Sequence, residues 1–590
     1  MEQNSVTDSI AQVDATTTHA LTPPMYAPSV VAPSTEPNPA PRIICPPVSL
    51  LPAVWETELR DLGLLEEFGD VPSGLRDGFR IGAAGPVTKT FIPNNHGSAR
   101  SNPHVIREHI CTELATGRYC GPFDKDTLEQ IIGPFSAAPL GVVDKPSTPG
   151  KFRIIQDFSY PRTYPSSSLN SQINSSNFPC TWGFFPDVLK VLLDAPPGTK
   201  AATFDVDAAY RQMPIHTDDL PHIIVHWDNQ CYVDFRVPFG AGSSNGIFAR
   251  CGDSMALMYA RRGFGHILKW VDDFLFIQFP PNSSGGVNPE IFSSVDAIYK
   301  FADRLGWPWK RSKTAPFDSV FTYLGFLWDI SARRVSIPCK KREKYHARIQ
   351  SWLSSPKVTL RDTQTLIGSL VHCALVVPEG RPKLAGLIAF SASFSHAYSQ
   401  RFIRKSPDQR ALESVQWWLR TLQIKGVGCQ IQSPPPPARL EIFTDASTSH
   451  GLGVIIGSEW GAWGLKDGWK KHGRDIGWAE VIAVELAVIW LIQIGHHNTS
   501  ITINCDNQGV VYAWKASRSR NSQQNGAIER IMAQCMAHDI WLSLEYINTN
   551  LNPADRPSRG KEPVGQYTRA WHPLDIPSHL NDFISHNILP

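Results

Sequence analysis

The sequence predicts an α+β protein of several domains, and three observations carry that expectation. At 590 residues the chain is too long for one hydrophobic core, so roughly two to four domains are expected. Strand-like runs and longer helical periodicities alternate over residues 131–338 and again after residue 438. Between those stretches "QIQSPPPPARL" sets Pro434 to Pro437 in a row, which reads as a stiff extended spacer.

Composition narrows the class. With 42% apolar and 19% charged residues the chain matches a soluble globular protein, and 18 Trp point to broad aromatic surfaces or large cores. A net charge of +2 argues against a uniformly basic nucleic-acid binder, so any polyanion must be held by local patches. The 11 Cys are odd in number and form no C-x-x-C pair, as expected of reduced thiols in an intracellular protein. The N-terminus "MEQNSVTDSIAQ" shows no signal peptide. "VIAVELAVIWLIQI" is short for a membrane span and carries Glu485; it reads as a core helix, and no membrane partner is expected.

In chain order, residues 1–50 are rich in Pro, Ser and Thr and are expected to be disordered. Residues 51–130 are an N-terminal extension, either a separate module or part of the next domain. In 131–338, "KFRIIQDF", "KAATFDVDAAY", "CYVDFRVPF", "ILKWVDDFLFIQF" and "FTYLGFLWDI" read as strands. "NGIFARCGDSMALMYARRG" and "SSVDAIYKFADRLGW" read as helices. Helical signals dominate 339–405, and 406–437 are a connection ending in the proline spacer. Residues 438–562 begin a new α/β pattern, with "LEIFTDAS", "GLGVIIG", "SITINCD" and "WLSLEYI" as strands around the helix "AEVIAVELAVIWLIQI". Residues 563–590 are a C-terminal tail.

"WVDDFLF" places Asp272 and Asp273 inside an apolar run, where unpaired carboxylates are costly. It reads as a β-hairpin with both acids at the turn. Asp205, in "TFDVDAAYRQM", ends an apparent strand. If these elements neighbour each other in one sheet, the three acids converge. Such a cluster needs a cation, and all-oxygen ligands suit Mg²⁺. Two ions ~3.5–4 Å apart stabilise both the attacking and the leaving oxygen of a phosphoryl transfer. The plain alternative is a solvated Asp turn.

The series "KFRIIQDF", "FDVDAAYRQM", "VPFGAGSSNGIF", "WVDDFLF" and "YLGF", in that order, resembles the reverse transcriptase family over about residues 130–400. The resemblance implies a right-hand fold, with fingers and palm in 131–338 and a thumb in 339–405; residues 51–130 are then a separate extension or part of the fingers. It implies that Asp205, Asp272 and Asp273 hold two metals, with the carbonyl of Val206 as a further ligand. Tyr210 falls where the family places an aromatic that excludes a 2′-hydroxyl; otherwise it fills the core. Lys145 and Arg153 match cations on the incoming triphosphate, with Lys151 as a competitor for Lys145. Phe239 and Gly240 match the loop under the nucleotide. Lys313 matches a lysine near the pyrophosphate, its alternatives being a phosphate-tracking or solvated side chain. Trp270, Tyr323, Leu324 and Gly325 match primer contacts, although the family usually has Tyr where Trp270 stands. From Leu305 to Tyr345 nine basic residues face three acidic ones, which suits sequence-independent phosphate contacts.

After the prolines, Asp445, Glu485, Asp506 and Asp555 occur in an order that resembles ribonuclease H over about residues 438–560. The resemblance implies two-metal cleavage of the RNA strand of a hybrid. Glu480 competes with Glu485. Five residues apart, they differ by about 140° around a helix and cannot both face one site. The spacing to Asp506 and the "ELAV" context favour Glu485. The histidine that many members carry before the last Asp is missing, which leaves Asn548, Asn550, Asn552 or water for its task.

Together the two resemblances imply an RNA-directed DNA polymerase with ribonuclease H activity from a DIRS-type or gypsy-type retrotransposon. The implied cofactor is Mg²⁺, two ions per site, with Mn²⁺ as an alternative. The implied partners are an RNA template, a DNA primer, the RNA/DNA hybrid, dNTPs and other retroelement proteins. The location would be intracellular, in cytoplasmic particles or the nucleus. The rival expectation is a decayed or co-opted copy that binds hybrids without chemistry; the presence of all seven acids argues against it.

Overall fold

In the computed structural model the described residues are 49–145, 150–162, 167–395, 402–570 and 575–586. The segment expected to be disordered lies, apart from residues 49 and 50, outside them. The chain divides into two compact units. One holds the residues up to Thr181 with Asp207–Ser254 and Asp303–Pro308; the other holds Trp182–Val206, Met255–Ala302 and everything from Trp309.

The first unit contains a three-stranded antiparallel sheet in the order Tyr119–Phe123, Gln230–Asp234, Val225–Trp227. The extension 51–130 contributes the first of these strands, so it is built into this unit. Its helix Pro52–Asp61 is tied down by the Trp55 indole, which donates to the Leu305 carbonyl at 2.9 Å. Beneath the sheet Arg211, 6% exposed, donates to both oxygens of Asp234 at 2.8 Å and to Glu113 at 2.7 Å. A lone buried charge would be prohibitive; two carboxylates make this one tenable and lock the turn Ala209–Gln212 against the sheet. A ribbon of Leu140–Asp144 and Phe152–Gln156 places Val143 opposite Arg153.

The second unit begins with four antiparallel strands: β1 (Lys200–Asp205), β2 (His266–Trp270), β3 (Asp273–Gln278) and β4 (Ala315–Asp318), in the order β2-β3-β1-β4. After Asp273 every residue of β3 is buried, which explains its unbroken apolar run. Helices Cys339–Ser354, Leu360–Cys373, Ala385–Ala392 and Gln409–Gln423 share a core with the hairpin of Val320–Tyr323 and Phe326–Asp329.

The region 406–437 therefore does not act as a connection. Gln409–Gln423 belongs to the helical layer, and Gly428–Gln430 extends the small sheet through Arg334–Ser336. Nor is the proline run a free spacer. Ser500 donates through its amide to Pro436 O at 3.0 Å and through its hydroxyl to Pro435 O at 2.7 Å. Prolines lack N–H groups but keep their carbonyls, so they can dock on a strand as acceptors.

The last domain has strands β5 (Ile442–Ala446), β6 (Gly451–Ile456), β7 (Glu459–Leu465), β8 (Thr499–Cys505) and β9 (Ile540–Tyr546), in the order β9-β8-β5-β6-β7. β6 is antiparallel to both β5 and β7; β8 runs parallel to β5 and β9 parallel to β8. Helix α1 (Ile476–Gln493) is long and apolar enough to cross a membrane, but it is 72% buried in the domain core. Within the described part of the tail, Thr568–Arg569 and Ile584–His586 both pair with β7. The fold class is the expected one in its elements, α and β mixed throughout, with an antiparallel sheet and a helical layer followed by a mixed α/β domain.

Candidate active sites

At the first site, Asp205 closes β1 directly opposite Asp273 at the start of β3. Asp272 occupies the two-residue turn after Val271. Val271 has φ +54°, a left-handed conformation that costs a β-branched residue about 1–3 kcal/mol. The Val206 amide donates to Asp272 O at 3.0 Å and the Lys310 amide to Asp205 O at 2.8 Å, so main chain pins the acids from both sides. Burial, then repulsion from Asp272 and Asp205, pushes Asp273 up to about 6. Burial also raises Asp272, with Asp205 adding to it. Lys313 Nζ donates to Asp205 Oδ2 at 2.7 Å, and that bond is the main reason its ammonium is held charged above the usual lysine range. Three carboxylates that repel one another, with the Lys313 ammonium on Asp205, offer oxygen donors of the kind that could hold a hard divalent ion.

In the first unit, Tyr210 packs its ring on Phe239 and Phe248, at 5.0 and 5.6 Å between centroids. Its hydroxyl donates to Asn245 Oδ1 at 2.8 Å. Phe239 is 55% exposed. Gly240 has φ +102°, and a Cβ there would stand 3.0 Å from Gln156 O, the last residue of the strand carrying Arg153. Arg153 is exposed on that strand, and Lys145 follows its partner strand, with its amide donating to Lys151 O at 2.8 Å.

The expected primer contact of Tyr323 needs correction. Its side chain is 3% exposed, inside the core shared with the helices. The hairpin instead offers its turn, where Leu324 and Gly325 have φ +51° and +73°. That turn is held from the helical layer: His372 Nε2 lies 3.0 Å from Leu324 O, and Lys341 Nζ donates to Gly325 O at 3.2 Å. The His372 ring stacks on Phe326 at 4.1 Å.

At the second site, Asp445 near the end of β5 and Asp506 just after β8 sit on adjacent parallel strands, close enough for Asp506 to add to burial in raising the Asp445 carboxyl. Asp555 opens the short helix α3 (Asp555–Ser558) and adds repulsion at Asp445; here α2 denotes Ser522–Ala537. Gly453 lets α3 lie this close, since a Cβ there would stand 2.5 Å from Ala554 O. Ser558 donates to Asp445 Oδ2, and Arg559 to Asp555 Oδ1 at 2.7 Å. Asn552 is a buried clamp, donating to Thr444 O at 3.0 Å, and Asn548 accepts from the Asn550 amide in its own turn.

The glutamate assignment is corrected. Glu480, and not Glu485, joins the acids: ligand atoms of Glu480, Cys505 and Asp506 lie within 4.8 Å of one another. Burial, then Asp445 and Asp506, pushes Glu480 up to about 9, and burial pushes Asp445 up to about 7. Glu485 faces elsewhere, gripped by Arg530 at 2.6 and 2.7 Å and by His579 at 2.9 Å. Burial would raise its carboxyl, but these hydrogen bonds outweigh that and hold it below the ordinary value. Spacing to Asp506 misled because loop length, not helix facing, sets it. Ser558 and Arg559, both at the acids, had only their place in "NPADRPSR" as a signal.

No protein-family model and no curated protein matches the chain. Among solved structures it is similar to the foamy viral protease-reverse transcriptase in complex with RNA/DNA hybrid, at TM-score 0.46 and 14% identity over 91% of this chain and 67% of that one. Against the same viral protein in complex with dsDNA the TM-score is 0.43 at 15% identity, over 87% of this chain and 99% of that one.

Proposed function

We propose that this chain is an RNA-directed DNA polymerase with ribonuclease H activity, encoded by a DIRS-type or gypsy-type retrotransposon and working inside the cell on an RNA template, a DNA primer and dNTPs. The observation that carries the reading is the occurrence in one chain of two separate carboxylate sets, one at the Asp205–Asp273 strand pair and one around Asp445, Glu480 and Asp506. Asp205, Asp272 and Asp273, with the Val206 carbonyl, would hold ions at the first; Asp445, Glu480, Asp506 and Asp555 would hold them at the second. Two Mg²⁺, or Mn²⁺, at each set would activate the attacking oxygen and neutralise the leaving one.

The residues then divide the work. The primer 3′-hydroxyl attacks the α-phosphorus of a dNTP, and the acids orient it for in-line displacement. Lys313, kept protonated by Asp205, gives a proton to the departing pyrophosphate. Arg153 and Lys145 bind the triphosphate. Tyr210, fixed at both ring and hydroxyl, is a rigid wall against a 2′-hydroxyl.

The test is primer extension on an RNA template and cleavage of a labelled RNA/DNA hybrid by the full chain. Extension lost in Asp272→Asn, with cleavage kept, and cleavage lost in Asp506→Asn, with extension kept, are the expected results. Hybrid binding with neither activity, across several primers and divalent metals, would overturn the reading in favour of a non-catalytic binder.

A further inference from the structure

Beside the catalytic hairpin, on the edge of its sheet, three aromatic rings gather. Trp270 ends β2, one residue before the turn, and is 38% exposed. Phe184 is 51% exposed and meets the Trp270 ring edge-on at 5.5 Å, while Trp182 meets it at 5.8 Å. Rings so placed are an unusual expense on an edge strand, since exposed aromatic area gains nothing from water.

The arrangement is built and stiff. The Gly183 amide donates to Lys269 O at 2.7 Å, laying the segment 182–184 along β2. Only glycine permits this: a Cβ would stand 2.8 Å from the Leu268 Cβ. The Phe184 amide donates to Asp187 Oδ2 at 2.7 Å, fixing it at the head of the helix Phe185–Leu193. Lys269 Nζ lies 4.8 Å from the Trp182 ring centre, a cation–π contact that holds the indole in place.

We propose that Trp182, Phe184 and Trp270 form an apolar platform for the sugars and base edges of the last one or two nucleotides of the strand whose 3′-oxygen reacts. The inference rests on the polymerase reading and adds Trp182 and Phe184 as positioning residues. A 3′-oxygen held at Asp205 and Asp273 brings its own nucleotide beside the residue preceding the turn, which is Trp270. Nucleotides follow one another at about 3.4 Å, so rings 5.5–5.8 Å apart span one to two of them. Contact with π-faces tolerates any base, as a site that copies all sequences requires.

The test uses the full chain with a labelled primer–template in EDTA, so that binding is read without chemistry. Trp182→Ala and Phe184→Ala are expected to weaken binding by about tenfold each, with Trp182→Phe restoring most of it. Gly183→Ala, which lifts the segment from β2, should do the same with every ring intact. A 5-iodo-deoxyuridine at the primer terminus should photo-cross-link to the peptides carrying Trp182 or Trp270. In extension assays the alanine variants should raise KM for primer–template more than they lower kcat. Variants that melt like the wild type yet bind and extend normally, or cross-links mapping elsewhere, overturn the platform and leave the polymerase reading intact. Wild-type binding and cross-linking without any extension supports the platform and sinks the polymerase reading. No binding by the wild type overturns both.

Discussion

Replacing Glu480 by Gln separates the corrected second site from the one expected from spacing. Glu480 is 4% exposed and its carboxyl is pushed from an ordinary 4.5 up to about 9 by burial and by Asp445 and Asp506. A raised carboxyl means that the folded chain keeps a proton the unfolded chain has lost. The resulting penalty is absent below about pH 4.5, grows as pH rises, and levels off near 9. At pH 7 it amounts to about 3 kcal/mol. Glu480→Gln removes the charge and keeps an oxygen for the Ala446 amide. The variant should therefore be more stable than the wild type in EDTA, by up to about 3 kcal/mol at pH 7 and by nothing near pH 4. Hybrid cleavage should be abolished and primer extension retained. Denaturant melts across pH and a cleavage assay read both effects. A Glu480→Gln protein that cleaves normally, or whose stability parallels the wild type from pH 5 to 9, would refute the assignment.

Glu485→Ala should act in the opposite sense. It strands Arg530 and His579, both partly exposed, at a cost of up to about 3 kcal/mol. Because the Glu485 carboxyl is held below its ordinary 4.5, its contribution is present above that value and fades as pH falls below it; thermal melts against pH should show the difference vanish in acid, with cleavage intact in the folded variant. Lys313→Gln removes the cation on Asp205, so the Mg²⁺ needed for half-maximal extension should fall while the maximal rate drops roughly 10²-fold, as a metal titration would show. His372→Ala releases Leu324 O and the Phe326 stack, a loss of about 1–2 kcal/mol; KM for primer–template should rise roughly tenfold with kcat little changed.

Much of this architecture was legible. "WVDDFLF" announced its hairpin because a fully buried central strand must be apolar throughout except at its tip. Asp445 and Asp506 were legible as strand-end acids. What stayed hidden depended on direction rather than type. Glu480 and Glu485 occupy one helix with equal propensity, and only the positions of Arg530 and His579, far along the chain, decide which faces the sheet ends. Tyr323 is legible only by its motif, whereas packing under the helical layer buries it. Trp182 and Phe184 carry no periodic signal; their place follows from one glycine on an edge strand.

The prolines and the tail set the true limits of the last domain. Cutting at residue 438 would strip acceptors from Thr499 and Ser500, and stopping at 562 would bare the rim of β7, an open template for strand addition by a second molecule. An excised last domain that keeps these contacts must therefore start no later than Pro435 and run through His586.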